Sequence, residues 1–125
     1  MDRTVVQTEV GLWIPDDYKS QWEYLEGDAK ELLPKILIKE EVECFMHDSL
    51  HTRSHMLFEY ALARNLMREN ALIISDDIGW NNAFINFLST NELRGYTSIT
   101  NPSLGGFINK FDAYERSVGL GVIRR

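Results

Sequence analysis

A chain of 125 residues, 44% of them apolar, holds enough apolar material for one core and one small domain. Its formal charge of −6, from 19 acidic against 13 basic residues, makes a nucleic-acid backbone a poor main partner. A single cysteine, Cys44, excludes an internal disulfide, no run reaches the roughly 20 apolar residues of a membrane span, and the Met-Asp-Arg-Thr start lacks the basic and apolar blocks of a signal peptide. These features lead us to expect a cytoplasmic α/β domain, with Cys44 a buried thiol in its apolar run.

In chain order, Thr4 to Val10 is rich in β-formers and halts at Gly11. Leu12 to Asp17 opens a short turn or helix, with Pro15 suited to a first helical position. Trp22 to Glu26 alternates and stops at the turn pair Gly27-Asp28. Ala29 to Leu37 has helical spacing, with Pro34 as an irregularity. Val42 to Met46 is strand-like. Ser54 to Asn70 is the strongest helical segment, with Phe58, Leu62 and Leu66 on one stripe and Met56, Tyr60, Ala63 and Met67 beside it. Asn70 suits a left-handed cap. A second strand-like run, Ala71 to Ser75, precedes a short helix over Asn81 to Leu88. Tyr96–Thr100 and Gly106–Phe111 read as a closing strand pair joined by a turn through Pro102. Trp13 and Trp22 are expected in the core.

The chemistry concentrates after the two central strand-like runs. All three histidines, His47, His51 and His55, stand at spacing four after the first run, and Asp76-Asp77 follow the second. Strand, helix and strand in this order make two parallel neighbours, with their carboxyl ends roughly 5 Å apart. Those ends face the crevice where doubly wound proteins bind ligands. Asp48, Asp76, Asp77 and His51 would meet there, and carboxylates that close require a cation or a shared proton. Oxygen ligands favour Mg or Mn. Two other readings stay open: the acids cap the helices that follow, or they touch cofactor or substrate directly. His47 is expected packed or bonded to backbone, His55 on the surface, and Trp80 with Asn81-Asn82 against an acceptor pocket.

Met46-His47-Asp48-Ser49-Leu50-His51-Thr52 and Leu72-Ile73-Ile74-Ser75-Asp76-Asp77-Ile78-Gly79-Trp80-Asn81 resemble the fourth- and fifth-strand motifs of class I S-adenosylmethionine-dependent methyltransferases. The similarity is strongest to the metal-dependent O-methyltransferase branch and runs from about Thr4 to Phe111. The resemblance implies a Rossmann-like, doubly wound, mostly parallel sheet in a single domain over residues 1–125. It implies Glu9 on the cofactor ribose, Asp28 and Ala29 on the adenine, and Asp48 at the cofactor. It further implies Asp48, Asp76 and Asp77 as metal ligands and His51 as general base, with S-adenosylmethionine as cofactor and a small-molecule hydroxyl as acceptor.

Two features depart from that pattern. Arg68-Glu69-Asn70 stands where Pro-Gly-Gly is usual, and the first strand with its glycine-rich loop is not seen before Thr4. Gly119-Leu120-Gly121 is no substitute, because no helix follows it. The domain is therefore expected to be incomplete at its amino end, inactive alone, and either homo-oligomeric or dependent on an amino-terminal segment. The competing expectations are a non-catalytic remnant or assembly subunit of the same fold, and another metal-dependent α/β enzyme such as a hydrolase. The absence of a Gly-x-Ser-x-Gly elbow counts against the last.

Overall fold

The computed structural model describes residues 11–39, 41–98 and 118–123. In order they form α1 (Asp16–Lys19), α2 (Ala29–Lys39), β1 (Cys44–His47), α3 (Arg53–Leu66), β2 (Leu72–Ser75), a 3-10 turn (Ile78–Trp80), α4 (Ala83–Thr90), β3 (Arg94–Ser98) and β4 (Val118–Val122). The expected strand over Thr4 to Val10, Glu9 included, and the one over Gly106 to Phe111 lie outside the described residues.

Four strands form one sheet in the order β1-β2-β4-β3. β1 and β2 are parallel, with His47 opposite Ser75, as the strand–helix–strand reading requires. β4 runs antiparallel to both β2 and β3. The described sheet is thus α/β but mixed rather than mostly parallel. Among the described residues β3 pairs with Val118–Val122, through Gly119 and Gly121. The two glycines let this strand lie close beneath α4. Their side of the strand faces the rings and methyls of Phe84 and Leu88, and a Cβ at Gly119 would strike the Phe84 ring. Trp22 to Glu26 forms no strand among the described residues.

α3 is the organising helix. Thr52 caps it, accepting from the His55 N–H at 3.4 Å, and Met67 ends it. Asn70 takes positive φ (66°) three residues past that end and donates its N–H to Ile123, tying the turn to β4. Of the two expected stripes, Met56, Tyr60, Ala63 and Met67 are the buried one, while Leu62 and Leu66 are half-covered. That stripe packs with Phe45, Ile73, Phe84, Phe87 and Ile123 into a single core. The opposite side of the sheet places Met46, Ile74, Leu120 and Tyr96 in register, and Met46 and Tyr96 are exposed.

Three burial expectations are overturned. Cys44 is exposed, because strand alternation turns Phe45 and His47 inward and therefore Cys44 and Met46 outward. Trp13 (90% exposed) and Trp22 (40%) lie outside the described core, stacked against nothing larger than Tyr24 beside Trp22.

Candidate functional site

The β1–β2 ladder delivers both chain ends to one mouth. The Asp76 N–H donates to the His47 carbonyl at 3.0 Å, so Asp48 and the Asp76-Asp77 pair leave the sheet side by side. Asp77 adopts a left-handed conformation (φ 49°, ψ 36°), which turns the chain into the 3-10 turn. Its N–H donates to the Asp76 carboxylate at 2.9 Å. Burial pushes the Asp77 carboxyl above its ordinary range; the neighbouring charges of Asp76 and Asp48 add to this, while His51 and a hydrogen bond from Trp80 oppose it. Asp77 therefore lies close enough to both Asp76 and Asp48 to feel their charge.

His51 points at this mouth. Its Nε2 lies 3.8 Å from an Asp77 carboxylate oxygen, is closed off from solvent, and has no hydrogen-bond partner. Asn81 holds its backbone, donating to the His51 carbonyl at 3.0 Å, and the same side chain accepts from the Ala83 N–H at the start of α4. Asn82 accepts from Arg53 Nε at 3.1 Å, joining the two helix starts. Asn81 and Asn82 thus brace the loops, while Trp80 stands exposed beside the mouth.

A metal cage is not formed. Among the described residues no three His, Cys, Asp or Glu side chains are arranged to hold an ion. One Asp76 oxygen accepts its neighbour's N–H, and Asp48 is exposed on the cavity wall. The three expected acids are not drawn together as a ready-made cage.

Behind the mouth lies a network that the sequence reading missed. Glu59, 2% exposed on the buried stripe of α3, accepts from His47 Nδ1 (2.5 Å), Ser49 Oγ (2.9 Å) and His55 Nε2 (2.8 Å). Burial alone would raise its pKa, but the hydrogen bonds from His47, Ser49 and His55 and the electrostatic pull of His47 together hold it below its ordinary value. His47 is packed as expected, against side chains rather than backbone. Its ring sits edge-on to both His51 (5.2 Å between centroids) and Tyr60 (5.5 Å). His55, expected on the surface, is buried because it reaches Glu59 one turn along. A legible signal was the Glu at i+4 from His55 within an otherwise apolar stripe. Below it, Tyr60 hydroxyl bonds Ser75 Oγ at 2.5 Å; burial, with Glu59 adding, pushes the phenol up to about 12 although that hydrogen bond works the other way.

Next to this network is a cavity of about 370 Å³. Its walls include Gly27, Ala29, Leu32 and Leu33 from the start of α2 and Asp48, Ser49 and Glu59 from the mouth. Ala29 and Asp48, expected at the cofactor, therefore share one cavity. Asp28 does not line it; its carboxylate accepts from the Lys30 N–H at 2.8 Å and serves the start of its own helix.

Polar residues gathered at the carboxyl ends of parallel strands stand where α/β sheets of this kind place their ligands. The chain belongs to the methyltransferase-domain family, whose profile matches residues 2–78 and so spans both Ala29 and the whole mouth. No curated protein matches it. No described helix is long and apolar enough to cross a membrane.

Proposed function

We propose that this methyltransferase domain uses S-adenosylmethionine and transfers its methyl group to a hydroxyl of a small molecule, with His51 as general base. The observation that carries this reading is His51 Nε2, solvent-free, unpartnered and 3.8 Å from Asp77, at the mouth beside the 370 Å³ cavity. The largely apolar walls around Ala29 and Leu32 suit a flat base, and the Asp48 carboxylate supplies acceptors at its polar end. When bound, the cofactor supplies an electrophilic methyl on a sulfonium. The chain's own work is on the acceptor. His51 Nε2 takes the hydroxyl proton, and the Asp77 carboxylate steadies the imidazolium that results. Asn81 keeps the His51 backbone in place, so the base is aligned before the acceptor arrives. No step of this scheme is routed through a cation.

The test is calorimetric titration of S-adenosylmethionine into the full chain and into a form extended at its amino end, followed by transfer to a panel of hydroxyl acceptors with His51 intact and with His51→Ala in whichever form binds. Binding and a loss of kcat of about 10²–10⁴ in the variant are expected. Wild-type turnover by His51→Ala removes the base from the scheme. A second reading, an assembly subunit, draws on the exposed sheet side with Met46 and Tyr96 in register across the strands.

A further inference from the structure

A second pocket, of about 420 Å³, lies between α3 and α4 and shares no wall residue with the cavity at the mouth. Its α3 wall carries Arg53, Leu57, Ala61 and Arg64, and α4 supplies Asn86 and Thr90. Steps of four, four and three along α3 keep the first four residues on one helix face, with an arginine at each end of an apolar floor. None of the residues lining this pocket is acidic, in a chain whose formal charge is −6. Arg68, just past α3, is paired with Glu43, whereas neither Arg53 nor Arg64 has a carboxylate partner among the described residues. Arg53 donates its Nε–H to Asn82 and keeps its terminal nitrogens. Arg64 Nε is closed off from solvent and has no hydrogen-bond partner.

We propose that the pocket between α3 and α4 binds the oxyanion group of a small molecule, a carboxylate or a phosphate, with Arg64 as its principal ligand. A guanidinium presents Nε–H and a terminal N–H as a fork that matches two oxygens of either group. A turn about the last torsions of Arg64 brings that fork to the pocket and pairs the donor that the free protein leaves orphaned. Arg53 on the same face adds a second positive charge, and Asn86 and Thr90 add polar groups from the facing helix. The ordinary fate of a surface arginine is a solvated helix face, and Arg53 alone would fit it. Arg64 does not, because an N–H shut away from water and left unpaired costs free energy that a bound oxyanion restores. An uncharged ligand would leave two cations on one wall with no countercharge.

The experiment follows the arginine Nε–H resonances of the full chain by heteronuclear NMR during titration with sodium phosphate, sodium acetate or sodium chloride at matched ionic strength. Phosphate or acetate is expected to shift the Arg64 resonance along a saturating curve, while chloride does not. The oxyanion that saturates at the lower concentration assigns the ligand's group as phosphate or carboxylate. Arg64→Gln should weaken binding by at least about tenfold, the scale of one hydrogen bond to a charged group. Arg64→Lys, which keeps the charge and loses the fork, should weaken it as well. Arg53→Gln, at an exposed position that cannot unsettle the fold, should give a smaller loss that fades as salt is raised. Arg68→Gln, outside the pocket, should change nothing. Shifts that rise linearly with all three salts, or an affinity that survives Arg64→Gln and Arg53→Gln, overturn the site.

Discussion

Replacing Glu59 by Gln keeps the side chain's shape and removes its charge, which isolates what the buried carboxylate contributes. In the native protein it accepts three hydrogen bonds at 2.5–2.9 Å from His47, Ser49 and His55. A hydrogen bond to a charged group contributes about 1.5–3 kcal/mol, and breaking a buried pair by removing one partner costs about 3–5 kcal/mol. Gln retains one carbonyl acceptor but turns an amide donor toward groups that are themselves donors. The expected loss at pH 7 is about 2–4 kcal/mol, read as a lower urea midpoint at unchanged slope. Its pH dependence is the sharper test. The Glu59 carboxyl titrates below its unfolded value of 4.5 in the folded protein. Its contribution is therefore whole above pH 4.5 and disappears as pH falls through the lower, folded value. The part of the gap between wild type and Glu59→Gln that the carboxylate contributes should shrink as the pH falls below 4.5. Equal stability at pH 7, or a gap that stays constant down to pH 3, would refute the account of Glu59 as an ionised acceptor.

Asp77→Asn should stabilise the fold by about 0.5 kcal/mol at pH 7, because Asn tolerates the left-handed backbone and removes a charge crowded by Asp76 and Asp48. Asp77 is raised in the folded state, so that gain should vanish as pH drops below its unfolded value of 3.8, as differential denaturation at pH 7 and pH 3 will show. Gly119→Ala should cost about 1–3 kcal/mol by thermal or urea denaturation, since the new methyl drives into the Phe84 ring across a strand that cannot yield. Light scattering should show association that Tyr96→Lys weakens, with Tyr96 on the exposed sheet side; a monomer at all concentrations excludes the assembly reading.

The central strand–helix–strand unit was legible because every local signal agreed. Apolar runs of strand length, a helical stripe between them and Asn70 suited to a left-handed cap all pointed one way, and Asn70 does take positive φ. The parallel pairing then followed from chain connectivity, and it alone brings Asp48, His51 and Asp77 to one mouth. What could not be read was strand parity. In Cys44-Phe45-Met46-His47 every side chain but the last is apolar, so the pattern does not say which face is buried. The answer comes from α3, which buries Phe45 and His47 and leaves Cys44 outside. β4 was hidden for a related reason. Gly119 and Gly121 read as strand breakers until Phe84 and Leu88 are known to need their space.

The same tertiary context separates the four of the five expected acids that lie within the described residues. Asp28 and Asp76 both accept from a backbone N–H one or two residues on, the ordinary work of Asp at a turn, and so have one oxygen fewer for a ligand. Asp48 is exposed on the cavity wall, and Asp77 is partly buried against His51. Spacing in the sequence treats these residues alike, whereas the local backbone distinguishes them. Glu59 reverses the usual inference, for a carboxylate in mid-helix is ordinarily solvated. Here three donors converge on it, and its burial places a fixed negative charge behind His47, whose ring meets His51 edge-on. In the proposed reaction a proton arriving on His51 would thus sit between two carboxylates, Asp77 at its Nε2 and Glu59 beyond the His47 ring. Of these only Asp77 was visible from the order of the chain, because only Asp77 lies at a strand end.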